Sequence, residues 1–120
     1  MVVDDDPALR EVLKVNLDGL GYETVTFDEG IAAIDELHNS LYDLVILDVI
    51  MPGIDGWEVL KKIRDDPRLD KTRVLILTAR DTEKDRLIGK SILKADDFKT
   101  KPFDLHSLID TVKQMLDRER

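Results

Sequence analysis

The chain has 120 residues, a net charge of −8 and no cysteine, so it is read as one domain, residues 1–120, with neither disulfides nor thiolate metal sites. No apolar run nears the roughly 20 residues of a membrane span and no charged-then-apolar leader opens the chain, which with the missing cysteine points to a cytoplasmic protein without a membrane partner. Non-specific nucleic-acid binding draws on Lys and Arg against phosphates, so an acidic surface argues against nucleic acid as a direct partner.

A unit of short β-type run, turn and amphipathic helix recurs about every 25 residues along the chain. The first run is Met1–Asp4, followed by a helix that Asp6 caps and Pro7 opens. Its apolar side carries Leu9, Val12, Leu13, Leu17 and Leu20, and Gly19 or Gly21 stops it. Glu23–Phe27 is the second run, and a helix over about 29–37 with Ile31 and Ile34 inward comes next. Leu44–Asp48 and Val74–Thr78 are continuously apolar before their last residue, the pattern of parallel strands covered on both faces. Between them lies a helix over about 56–64 around Leu60 and Ile63. A fourth helix is expected over about 83–93 on Leu87, Ile88 and Ile92, then a weak strand at Asp97–Thr100. The last helix starts near Leu105 and sets Leu105, Leu108, Ile109, Val112 and Leu116 at helical spacing.

Five strand–helix alternations predict an α/β, doubly wound parallel sheet with five strands and five helices. In such sheets ligands bind beyond the carboxyl ends of the strands. Those ends carry Asp4 and Asp5, then Asp48, then Thr78, then Lys101 before Pro102; the second strand, ending in Phe27-Asp28, offers less. Three carboxylates held close raise one another's pKa, and a cation relieves them. Oxygen donors without Cys or His favour Mg²⁺. Three aspartates, one Mg²⁺ and Lys101 then sum to a formal charge of zero, which a phosphoryl group on Asp48 would upset.

Taken singly, these residues have plainer readings. An acidic run is commonly a solvated turn, and Asp6 reads only as a cap; Thr78 alone is a strand end and Lys101 alone a surface lysine. Asp48, closing a buried strand, needs a partner. His38 and His106 read as exposed, with no acidic partner, Trp57 as helix packing, and Gly53-Ile54-Asp55-Gly56 as turn chemistry.

Val2-Val3-Asp4-Asp5-Asp6, Leu47-Asp48-Val49-Ile50-Met51-Pro52-Gly53-Ile54-Asp55-Gly56, Leu77-Thr78-Ala79 and Thr100-Lys101-Pro102-Phe103 together resemble the receiver signature of two-component response regulators, in the same order and spacing along the whole chain. The resemblance implies a flavodoxin-like sheet in the order 2-1-3-4-5. It implies Asp48 as acceptor of phosphoryl from a histidine kinase or histidine phosphotransfer protein. It also implies Mg²⁺, with Mn²⁺ able to substitute, on Asp5, Asp48 and the Ile50 backbone carbonyl, with Asp4 acting through water. Lys101 and Thr78 would contact the phosphoryl oxygens, and Thr78 and Phe98 would form the switch that reshapes a face for a downstream protein, an output domain outside this chain, or a dimer formed on phosphorylation. A cis bond at Lys101-Pro102 is expected on the same ground. Such a domain catalyses its own phosphorylation and dephosphorylation and is not expected to turn over small molecules.

Several positions depart from the family pattern. Phe98 stands where Tyr is common, so packing against the fourth helix replaces a hydroxyl hydrogen bond. Lys94 stands near a usual Gly, and the stretch 89–95 is one residue long. The first strand is very short, as in a chain trimmed from a longer one. Ile50 and Arg80 crowd the path of water and imply a phosphoryl lifetime of minutes or more. Two rivals are an aspartyl-phosphate hydrolase of the haloacid dehalogenase type, which needs an acid where Ile50 stands, and a docking domain that takes no phosphate.

Overall fold

The computed structural model describes residues 1–79, 85, 87 and 94–117. In chain order these form β1 (Val2–Val3), α1 (Pro7–Gly19), β2 (Thr26–Phe27), α2 (Gly30–Asn39), β3 (Leu44–Leu47), α3 (Gly56–Asp65), a 3-10 turn (Pro67–Leu69), β4 (Arg73–Thr78), β5 (Asp97–Thr100) and α4 (Leu105–Asp117). All strand pairs are parallel and the sheet order is β2-β1-β3-β4-β5. This is the order the resemblance implied. Four α-helices stand among the described residues; the one expected over 83–93 lies outside them apart from Asp85 and Leu87.

Side chains alternate across the sheet and sort into two cores. Val3, Val45, Leu47 and Ile76 face α2 and α3, meeting Ala33, Leu37, Val59, Leu60 and Ile63. Val2, Leu44, Ile46, Leu75 and Leu77 face α1 and α4, meeting Leu13, Leu17, Leu108, Val112 and Met115. Each fully buried Leu or Ile contributes about 2 kcal/mol relative to exposure. Burial on both faces explains why β3 and β4 read as unbroken apolar runs.

Three expectations about helix faces need correction. Ile31 is 53% exposed rather than inward, and Gly30, Ala33 and Leu37 are the buried residues of α2. The cause is Gly30, whose missing Cβ would lie 2.6 Å from Val59 Cγ2 and 2.9 Å from Ile54 Cγ1; that close approach sets the rotation of the helix. On α1, Val12 and Leu20 are exposed, so the buried stripe is narrower, centred on Leu13 and Leu17. His106 is exposed as read, but Asp110, one turn on, lies 3.7 Å from its Nε2. Trp57 is half-buried against the α2–α3 core, and its indole N–H has no partner among the described residues.

The approach to β5 is clamped from α3. Arg64 donates to the carboxylate of Asp96 at 2.8 Å and to the carbonyls of Thr72 and Lys94 at 2.9 and 3.0 Å. Asp96 in turn accepts the Val74 N–H at 2.7 Å. This clamp holds Lys94 at φ +59°, the left-handed region that favours glycine. Lys94→Gly is therefore expected to raise stability by about 1 kcal/mol, read as a rise of several degrees in Tm by calorimetry.

Candidate functional site

Two elements of α1 and β3 shape the acidic corner. Asp6 caps α1, accepting N–H bonds from Ala8 and Leu9 at 3.0 and 3.4 Å, and its own N–H donates to Asp4 Oδ1 at 2.9 Å. Asp6 is therefore more than a cap, since it also orients Asp4. Arg10, one turn into α1, donates to the Asp4 backbone carbonyl at 2.7 Å. Sequence reasoning passed over Arg10, although its place one turn after an acidic run was a usable signal. After β3, Ile50 N–H donates to Asp48 Oδ1 at 3.0 Å, folding the next loop back over the Asp48 side chain. Gly53 takes φ +79° in that loop, and Asp55 caps α3 through the Glu58 N–H at 3.0 Å.

The strand ends converge as the topology requires. Asp48 N–H donates to the Val3 carbonyl at 3.0 Å, which sets the end of β3 beside that of β1. Thr78 pairs with Thr100 across β4 and β5, and Lys101 N–H donates to the Thr78 carbonyl at 2.8 Å. The Lys101–Pro102 bond is cis, as expected. Lys101 Nζ then donates to Asp4 Oδ2 at 2.7 Å and to Asp48 Oδ2 at 3.0 Å. Oxygens from Asp4, Asp5 and Asp48 all lie within 4.8 Å of one another. Asp4 and Asp48 are buried and Asp5 is exposed, so the cluster opens toward solvent on the Asp5 side. Thr78 is fully buried and Phe98 nearly so. Phe98 stands in the α2–α3 core, while its coupling to the fourth helix and the part expected of Arg80 lie outside the described residues.

Burial pushes the Asp4 carboxyl above its ordinary value, against its hydrogen bonds from Lys101 and the Asp6 N–H. Burial likewise acts to lower Lys101, but hydrogen bonds to Asp4 and Asp48 outweigh it and its pKa is raised. One ammonium thus serves two buried carboxylates with a third beside them, leaving negative charge uncompensated. All three donors are hard oxygens at mutual distances one cation can span, without His or Cys, and this fits Mg²⁺ better than zinc or copper.

The response regulator receiver domain model matches residues 1–113. The chain belongs to that family. Among curated relatives, the transcriptional activator protein IrlR of Burkholderia pseudomallei is 39% identical over 118 residues, covering 98% of this chain and 50% of its own. The receiver domain spans about half the length of the curated relatives it matches. Among solved structures, the receiver domain of a Francisella response regulator superposes with TM-score 0.89 at 30% identity, over 99% of this chain and 96% of that one. The response regulator protein TrrA of Thermotoga maritima, in complex with Mg²⁺-BeF, gives TM-score 0.82 at 38% identity and 95% coverage of both chains. No helix among the described residues of this receiver domain is long and apolar enough to cross a membrane.

Proposed function

We propose that this receiver domain takes a phosphoryl group on Asp48 from the phosphohistidine of a histidine kinase or histidine phosphotransfer protein. One observation carries the reading: the Lys101 ammonium bridges the buried Asp4 and Asp48 carboxylates at 2.7 and 3.0 Å, with Asp5 beside them, at the carboxyl end of the sheet. An Asp48 carboxylate oxygen attacks phosphorus in line as the phosphorus–nitrogen bond breaks. The imidazole leaves with the electron pair and an acyl phosphate remains. Lys101 moves from carboxylate to phosphoryl oxygens with little displacement, and the Thr78 hydroxyl holds another of those oxygens. Asp5, Asp48 and the Ile50 carbonyl, with Asp4 through water, would hold Mg²⁺ or Mn²⁺. The bound ion would neutralise the acidic group and the charge on the transferring phosphoryl.

The new negative charge draws Thr78 inward, and Phe98 repacks in response, altering the face offered to a downstream protein, an output domain or a second copy. The domain acts in the cytoplasm and turns over no small-molecule substrate. Mg²⁺-BeF, a tetrahedral mimic of a phosphoryl group, is bound by TrrA, and its chemistry suits the same acidic pocket here.

Incubated with acetyl phosphate and Mg²⁺, the wild-type chain should gain the intact mass of one phosphoryl group and Asp48→Asn none. Uptake by Asp48→Asn at the wild-type rate would sink the assignment. Ile50 is 47% exposed beside the acceptor and offers no base to activate water. The phosphoryl group should therefore persist for minutes or longer. Loss of radiolabel within seconds would contradict this.

A further inference from the structure

The three acids of the site are held very differently. Asp4 takes a hydrogen bond on each carboxylate oxygen, from the Asp6 N–H at 2.9 Å and from Lys101 Nζ at 2.7 Å. Asp48 is likewise held on both oxygens, by the Ile50 N–H and by Lys101 at 3.0 Å each. The exposed Asp5 side chain makes no hydrogen bond or ion pair among the described residues, although its carboxylate lies within 4.8 Å of the other two. Its place is set by its backbone alone.

That backbone lacks the next rung of the sheet. Asp4 N–H donates to the Phe27 carbonyl at 3.1 Å, and strand geometry turns the Asp4 carbonyl to the same side. β2 ends at Phe27 and α2 begins at Gly30, so no further strand residue donates there. A buried carbonyl needs a partner, and Arg10 supplies it from α1, with Nη1 donating at 2.7 Å. The other guanidinium N–H groups have no protein partner among the described residues. A cation near the start of a helix opposes the macrodipole, so helix preference does not account for Arg10.

On the reading that Asp5 ligates the ion, we propose that Arg10 is a positioning residue for Mg²⁺, acting on Asp5 through the Asp4–Asp5 peptide. The peptide is planar, so a donor on its carbonyl oxygen fixes the Asp5 nitrogen and Cα together. Mg²⁺ demands near-octahedral geometry, and a carboxylate that swings with a loose peptide meets it poorly. Charge alone has the opposite effect. A guanidinium beside the acidic group repels a divalent ion, so its removal would tighten binding. The two roles differ in sign.

Titration calorimetry of Mg²⁺ into the unphosphorylated 120-residue chain separates them. Arg10→Met should bind about tenfold more weakly than wild type, the scale expected for loss of a group that orients a ligand. Arg10→Lys keeps a donor for the carbonyl and should recover most of that loss. In an Asp5→Asn background, Arg10→Met should make little further difference, because the carboxylate it positions is gone. In phosphoryl uptake from acetyl phosphate, half-saturating Mg²⁺ should rise about tenfold for Arg10→Met while the rate at saturating Mg²⁺ stays near wild type. Arg10→Gln, too short to reach the carbonyl, repeats the comparison if the methionine chain folds poorly. Unchanged or tighter Mg²⁺ binding by Arg10→Met and Arg10→Gln overturns the proposal, even with a lowered Tm. So does an equal loss in the Asp5→Asn background, or a loss by Arg10→Lys as large as that of Arg10→Met. A wild-type chain that takes up no Mg²⁺ overturns the proposal and the metal site together.

Discussion

Lys101→Ala is expected to lower stability by about 3 kcal/mol at pH 7, since it strips the shared counter-charge from two buried carboxylates. It should also slow phosphoryl uptake from acetyl phosphate by about 100-fold or more, because a positioned cation at the transferring oxygens is lost. The stability deficit should shrink on acidification. Burial already raises the Asp4 carboxyl, and without Lys101 it rises further. Below that raised pKa the folded variant binds a proton that the unfolded chain, titrating near 3.8, does not, so the variant gains stability as pH falls through it. Urea denaturation of wild type and variant at pH 7 and pH 5 measures the change. Millimolar Mg²⁺ should recover part of the loss at pH 7, as a cation bound only by the folded chain stabilises by mass action. Lys101→Arg restores the charge but not the compact ammonium, and should recover stability more fully than rate. Wild-type stability of Lys101→Ala at pH 7 would mean that the carboxylates need no ammonium.

Gly56→Ala is expected to cost about 3 kcal/mol or more and to depress phosphoryl uptake with it. An added Cβ would lie 2.2 Å from the Asp48 carbonyl oxygen, 2.5 Å from Val49 Cα and 2.8 Å from the Asp48 carbonyl carbon. All three are backbone atoms, so no rotamer change relieves the contact. The Gly56 N–H also donates to the Val49 carbonyl at 3.1 Å, tying the start of α3 to the residue that follows Asp48. Moving α3 away therefore moves Asp48. Gly30→Ala meets only side-chain atoms of Val59 and Ile54 and should cost less, while Gly19→Ala at the end of α1 meets open space and should be near neutral. Thermal unfolding of the three variants tests the ranking. A Gly56→Ala chain as stable and as readily phosphorylated as Gly19→Ala would show that α3 and the acceptor loop move independently.

Much of this receiver domain was legible in the sequence because it rests on short-range chemistry. The Asp6-Pro7 start of α1, the apolar runs of β3 and β4, and the acids and lysine at strand ends all follow from local propensity and periodicity. Parallel topology then directs attention to the carboxyl ends. Tertiary packing decided the rest. Which residues of α2 face inward depended on Gly30 seating against Val59 and Ile54, and periodicity cannot see that partner. Asp6 and Arg10 orient Asp4 through backbone groups that no motif names. The bridge from Lys101 to Asp4 and Asp48 joins residues 97 and 53 positions apart, and the sheet alone brings them within hydrogen-bond reach. Sequence determines which side chains stand at the end of each strand, because that is a local property; how closely they meet, and how much charge is left unbalanced, is set by distances that exist only after the chain has folded.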